Sequence, residues 1–172
     1  MPGAGDDPGR GGDGADYLAR RMDADVGTAG RGDFEAVRRL LEEARLPTRD
    51  LTPEMLEHFL VARRGAELVG VIGLELLGDA GLLRSAAVAP ELRGTGLGGR
   101  LTDALERYAR EAGVGRLYLL TTTAAAYFDR HGYVRVPRDE APAAIRDTTE
   151  FRELCAATSV CMVKELSTGR SA

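Results

Sequence analysis

Cysteine is scarce: Cys155 and Cys161 are the only two in 172 residues. They lack Cys-x-x-Cys spacing and have no neighbouring histidine, which excludes a recognisable zinc motif and gives no basis for a disulfide framework. A basic surplus is missing as well. Lys and Arg total 23 against 27 Asp and Glu, for a net charge of -4, so the one-sided positive field that sequence-independent nucleic-acid binding needs is absent. No apolar run approaches the roughly 20 residues of a membrane-spanning helix. The first seven residues, MPGAGDD, also lack the positive-then-apolar order of a secretory signal. These absences predict a cytoplasmic protein in a reducing compartment, with no nucleic-acid, membrane or metal partner.

What is present suits one α/β domain with a full hydrophobic core. Residues 1–16 are Gly, Asp, Ala, Pro and Arg without apolar periodicity and predict a disordered tail, and 167–172 predict a frayed one, leaving 17–166 as the folded unit. A short first strand is expected within 17–26. Asp33 is placed as an N-cap for a helix carrying Phe34, Val37, Leu40, Leu41 and Ala44, and Thr52-Pro53 opens a second with Met55, Leu56 and Phe59. Apolar runs at 59–62, 68–77 and 82–88, separated by turn residues, predict an antiparallel meander. A glycine-rich loop then enters an amphipathic helix with Leu97, Leu101, Leu105, Tyr108 and Ala112 on one face, closed by Gly113. A strand at 117–121, a short helix at 124–131, a strand at 133–136, a mixed stretch to 155 and a strand at 159–163 complete an α+β or mixed α/β domain.

The loop carries the chemistry. In the stretch AAVAPELRGTGLGG, residues 86–99, a strand end passes through glycines into a helix. Glycines let successive N–H groups converge without Cβ obstruction, and the positive helix end adds attraction for phosphate. The loop lacks the Lys-Ser/Thr of a P-loop, and it follows a meander where a dinucleotide fingerprint would follow the first strand of a parallel unit.

Arg93-Gly94-Thr95-Gly96-Leu97-Gly98 resembles the Gln/Arg-x-x-Gly-x-Gly/Ala mark of the GNAT acetyltransferase superfamily, and AYFDRHGY at 126–133 looks like its second acetyl-CoA motif. The resemblance spans roughly residues 30 to 166. It implies a mixed, mostly antiparallel sheet with splayed central strands flanked by helices, and acetyl-CoA as co-substrate. The pyrophosphate would lie on the backbone amides of residues 93–98, with Arg93, Gly94, Thr95, Gly96, Gly98 and Gly99 as the binding set. The pantetheine would lie between strands 82–88 and 116–121, with Ala86 and Val88 offering backbone groups. Leu83-Arg84-Ser85, the Thr121-Thr122-Thr123 triple and the carboxy-terminal segment resemble a GNAT branch found in arsenic-resistance operons, and that segment is also similar to the end of glutamate N-acetyltransferases. Both imply a small amino-acid-like acceptor, arsenic- or phosphorus-containing in the first case and glutamate in the second. The superfamily's common dimerisation makes a homodimer an expectation. The contrasting reading is a catalytically weak acyl-CoA-binding module.

Transfer to an amine needs a proton acceptor and a proton for the departing thiolate. Glu75 is the preferred base, with Glu91 and Asp79 as alternatives, and a solvated outward-facing Glu75 as the bland reading. Phe128 stands where the family often has its acidic tyrosine, so neighbouring Tyr127 is the candidate acid, with water as the alternative. Arg84, a charge in an apolar strand, either pairs with an acceptor carboxylate or faces outward on the alternate side of the sheet. Thr121 and Thr122 either contact the acceptor or cap the next helix. His58 and His131 read as structural, and Cys161 as a buried strand residue.

Overall fold

The computed structural model describes residues 23–154 and 157–166. The expected tails at 1–16 and 167–172, the start of the first expected strand and Cys155 lie outside them. Seven strands form one sheet in the order β1-β2-β3-β4-β5-β7-β6. In chain order these are β1 (Asp25–Thr28), α1 (Phe34–Glu43), β2 (Phe59–Arg64), β3 (Glu67–Leu77), β4 (Ala80–Val88), α2 (Leu97–Glu111), β5 (Arg116–Thr121), α3 (Ala125–Arg130), β6 (Val134–Val136), α4 (Ala143–Arg146) and β7 (Val160–Glu165). This is the mixed, mostly antiparallel architecture expected from the sequence. The β4–β5 pair alone is parallel.

Alternation along β5 divides the core. Leu117 and Leu119 join the larger cluster, which includes Leu41, Phe59, Leu101 and Leu105, while Tyr118 joins Leu82, Ile145, Phe151 and Cys161 in a smaller one. The segment read as mixed therefore has a definite place. It forms α4 and a π-type turn at Glu150–Leu154, whose Phe151 seals the smaller cluster. Arg138 fastens that turn by donating from Nη2 to the Phe151 carbonyl at 3.0 Å, with its guanidinium 4.8 Å from the Phe151 ring centroid.

Most boundaries lie within two residues of the expected ones, and three differences have a visible structural cause. Residues Pro53–His58 form a 3-10 helix, and Phe59 begins β2. Its apolar ring is needed in the sheet, where it fills the space left by the missing side chain of Gly73, its partner in register. Asp33 precedes α1 but does not cap it, because its Oδ2 accepts from the Gly30 N–H at 2.8 Å and from Arg63 Nη2 at 2.6 Å. The final strand starts one residue later and runs on to Glu165. There Lys164 Nζ reaches the Glu106 carboxylate of α2 at 2.5 Å and the carbonyl of His131 at 2.8 Å, tying β7 to both helices behind the loop.

A Cβ on Gly73 would stand 2.4 Å from the nearest atom of the fully buried Phe59 ring. Gly73→Ala is expected to lose about 1–3 kcal/mol of stability through overpacking, read as a lower urea midpoint at unchanged slope.

Candidate active site

The pairing of β4 ends early. It runs beside β5 only from Ala80↔Arg116 to Leu82↔Tyr118, and beyond that the two strands separate. On its other edge β4 carries a bulge, since Gly73 faces Arg84 and Val71 faces Ala87, leaving Ile72 opposite both Ser85 and Ala86. Ser85 takes a left-handed conformation, φ 55°, to accommodate it. Re-aimed by the bulge, the end of β4 forms one wall of a split in the sheet, and β5 and the loop after it form the other. A cavity of about 590 Å³ fills the split, and a smaller one of about 160 Å³ adjoins it, with Ala86, Ala87, Val88, Ala124 and Phe128 lining both.

At the mouth of the split, Gly94 (φ 80°) and Gly96 (φ 87°) adopt positive φ values that L side chains rarely adopt, and Gly96 sits at the N-cap of α2. A helix start leaves its first amides without intrahelical partners, and here no side chain caps them. The cradle is narrower than expected. The Arg93 N–H closes a turn onto the Pro90 carbonyl at 3.3 Å, and Thr95 directs both its N–H (3.3 Å) and its hydroxyl (2.5 Å) at the Leu92 carbonyl. The amides left without a backbone partner are those of Gly94, Gly96 and the first turn of α2, including Gly98 and Gly99. An anionic diphosphate fits this surface, because no Cβ obstructs it and the helix dipole is positive there. Arg93 adds a side chain to the wall of the larger cavity.

The expected catalytic pair does not assemble. Tyr127 stacks on His131 at 4.3 Å between centroids, and its hydroxyl lies 3.5 Å from Thr102 Oγ1, against the start of α2. It lines the small cavity only, whereas buried Phe128 lines both. Glu75 is on β3 as expected, but it accepts from Arg84 Nη1 at 3.1 Å and does not line the larger cavity. Of the alternatives, Glu91 pairs with Arg64 at 3.4 Å on the surface, and Asp79 sits in the β3–β4 turn, away from the split.

Arg84 does line the cavity, yet its guanidinium is already occupied. Asp50 takes it bidentately at 2.5 and 2.8 Å, Glu75 adds a third bond, and Nε donates to Ser85 Oγ at 3.1 Å. The side chain is fully buried. Burial alone would lower its proton affinity, but the Asp50 hydrogen bond and the charges of Glu150, Asp50 and Glu75 more than reverse that. The outward-facing reading of Arg84 is therefore corrected, and a direct grip on an acceptor carboxylate would have to displace Asp50. Thr121 closes the turn before α3, its Oγ1 accepting from the Ala124 N–H at 2.9 Å, but it does not cap that helix, whose first amides receive no side-chain hydrogen bond. Thr122 stays exposed at the rim.

The residue that sequence reasoning missed is Glu150. It is 7 % exposed, lines the larger cavity, and its Oε2 is buried without a hydrogen-bond partner. Burial raises its pKa to about 7, Arg84 opposes this, and Glu75 and Asp50 add to the rise. No motif marks it, since it falls in the stretch after Pro142 that reads only as mixed.

Strand, glycine loop, helix and split sheet together make a domain with an anion-accepting helix start at one end of an open cleft. A family model described as "Acetyltransferase (GNAT) family" matches residues 31–133, and the chain belongs to that family. An amino-acid acetyltransferase of Pseudomonas aeruginosa is 32 % identical over 125 residues, covering 70 % of this chain and 29 % of that protein. One from Pseudomonas putida is 32 % identical over 99 residues, covering 56 % and 23 %. The chain thus spans less than a third of the length of these curated relatives. Among solved structures, the N-acetylglutamate synthase of Neisseria gonorrhoeae complexed with coenzyme A and N-acetyl-glutamate superposes with a TM-score of 0.73 at 24 % identity, covering 84 % of this chain and 35 % of that one. A Mycobacterium tuberculosis protein in complex with CoA gives 0.71 at 24 % identity, covering 83 % and 99 %. These likenesses carry the fold. Among the described residues, no helix is long and apolar enough to cross a membrane.

Glu150 makes stability depend on pH in the direction opposite to a salt-bridged carboxylate. The folded chain holds its proton up to about pH 7, whereas an ordinary glutamate releases it near 4.5. Its stabilising contribution is therefore complete below pH 4.5 and is lost as the pH climbs towards 7. Glu150→Gln is expected to be more stable than the parent by about 1–3 kcal/mol at pH 8 and unchanged at pH 5, measured by urea unfolding at both.

Proposed function

We propose that this chain transfers the acetyl group of acetyl-CoA to the α-amino group of an amino acid, with glutamate as the leading acceptor. The observation that carries the reading is the shared wall of the two cavities. A chain entering from the Gly94–Gly96 cradle along the end of β4 would bring its thioester to Ala86–Val88 and Phe128, where a chamber large enough for an amino acid opens. Ala86 and Val88 lie on the β4 edge that β5 has left, so a pantetheine could add there as a strand would. The same chamber is lined by Arg45 and Arg93. Neither has an acidic partner within ion-pair distance among the described residues, so both are available to acceptor carboxylates.

The relatives support this choice. Two are named amino-acid acetyltransferases, and the gonococcal enzyme was solved with N-acetyl-glutamate. An arsenic- or phosphorus-containing amino acid, the acceptor implied by the operon resemblance, would present the same α-amino group, but none of these relatives is named for it. Glutamate, the alternative, is better supported.

Purified protein incubated with acetyl-CoA is expected to release thiol with L-glutamate or a close analogue above the acceptor-free rate, and to lose this release in Gly96→Glu, which strains the backbone and puts a negative charge in the cradle. Protection by acetyl-CoA against thermal unfolding, with no release from a panel of amino acids and their phosphonic and arsonic analogues, would instead favour the acyl-CoA-binding module.

A further inference from the structure

The larger cavity has an asymmetric lining. Arg45, Arg84 and Arg93 supply cationic side chains, and Glu150 is the sole carboxylate among the described residues that line it. Asp50 and Glu75 sit behind Arg84 and are engaged by it. Arg84 thus has its charge matched by two other carboxylates and makes no hydrogen bond to Glu150, whose Oε2 is buried without a partner. A buried carboxylate oxygen left unpaired costs about 1–3 kcal/mol or more, an arrangement that marks a place where something else binds. Arg138 fastens the turn bearing it through the Phe151 carbonyl and ring.

We propose that Glu150 receives the ammonium group of the acceptor in this cavity and takes the proton that nitrogen must lose before it attacks. The inference rests on the amino-acid acetyltransferase reading above and names a group for it. The acceptor enters as R–NH3+, and Glu150 accepts one proton, freeing the nitrogen lone pair. The nitrogen bonds to the thioester carbonyl carbon, the C–S bond breaks with its electron pair going to sulfur, and the second nitrogen proton neutralises the thiolate. The proton on Glu150 returns to solvent as product leaves. Amide, thiol and one released proton balance ammonium plus thioester.

The electrostatics fit this role. An ordinary carboxylate is a poor proton acceptor for the ammonium group of an amino acid, which holds its proton to a pH several units higher. Burial, helped by Glu75 and Asp50 and opposed by Arg84, brings Glu150 to about 7, within reach of efficient transfer. On its own turn Arg152 and Glu153 are exposed, and Arg45 and Arg93 line the cavity it shares with them. The sequence-favoured base, Glu75, lacks this position: it is bonded to Arg84 and lies off the cavity wall.

The test compares the full chain with Glu150→Gln, which keeps the shape but cannot take the proton. With the amino acid that gives thiol release, the variant is expected to lose about 10²–10⁴-fold in kcat/KM and the rising limb near pH 7 in its pH profile, while acetyl-CoA affinity by calorimetry stays within twofold. A kcat/KM within threefold of the parent with the same rising limb would overturn the proposal while leaving the amino-acid reading intact. A second measurement does not need turnover. In protein labelled with ¹³C at glutamate carboxyls, the resonance missing from the variant should titrate near 7, and its midpoint should fall by at least one unit when CoA and the amino acid (L-glutamate if none turns over) are added. No change in that midpoint would also overturn the proposal. A fall in the midpoint with no amino acid acetylated would leave the assignment of Glu150 standing and remove the acceptor reading alone.

Discussion

β4 can be paired on both edges or can line a cleft, but it cannot do both along one length. From Ala80 to Leu82 it is an ordinary interior strand with β3 on one side and β5 on the other. After Leu82 the β5 edge is released, and the extra residue at Ser85–Ala86 turns the remaining strand away. The strain of a left-handed Ser85 and the lost pairing both act against the sheet's continuity. What they create is a wall of backbone edge running from the middle of the sheet to the glycine loop, and the parts of the candidate site lie along it. The cradle is at its far end, Phe128 and the small cavity are beside it, and the chamber with Arg84 and Glu150 is at its root.

The charges at the root are arranged so that one buried cation serves several acids unequally. Asp50 binds Arg84 in the bidentate geometry that suits a guanidinium, and Glu75 takes a third bond. Glu150 is close enough to feel the positive charge without sharing a hydrogen bond, and burial dominates its behaviour. Two carboxylates thus engage the strand that carries the bulge, and a third, Glu150, keeps a buried oxygen without a hydrogen-bond partner. Such a division trades stability for chemistry, because a chamber with an uncompensated buried carboxylate is less stable than one lined with an amide.

Much of this was legible in the sequence, and the parts that were not share a cause. The meander, the glycine loop, α2 and α3 each rest on local signals: alternation, positive-φ glycines, helical spacing and a stop at Gly132. The split sheet and the co-substrate came through the family resemblance carried by the loop. Pairings between distant segments have no such local mark. Nothing near Arg84 announces Asp50, 34 residues earlier, so the apolar strand seemed to offer its charge to a substrate. Glu75 appeared free for the same reason. Phe59 fits both the second helix and the head of the run 59–62, and the strand wins because its ring fills the space under Gly73, visible only once β2 and β3 are in register. Thr95 was counted in the cradle on motif position alone, while its turn onto Leu92 is a matter of three-dimensional geometry. Glu150 was invisible because its role depends on burial against a β4 residue far away in the chain.

The central claim is that the thioester and the amine meet in one continuous split between β4 and β5. A conjugate that joins the sulfur of CoA to the amino nitrogen of glutamate through an acetyl-length link tests this directly by calorimetry against CoA alone. The account predicts that the conjugate binds at least a hundredfold more tightly than CoA, since it fills the cradle and the chamber together. Equal affinities would mean that the chamber at Arg84 and Glu150 is not where the acceptor lies.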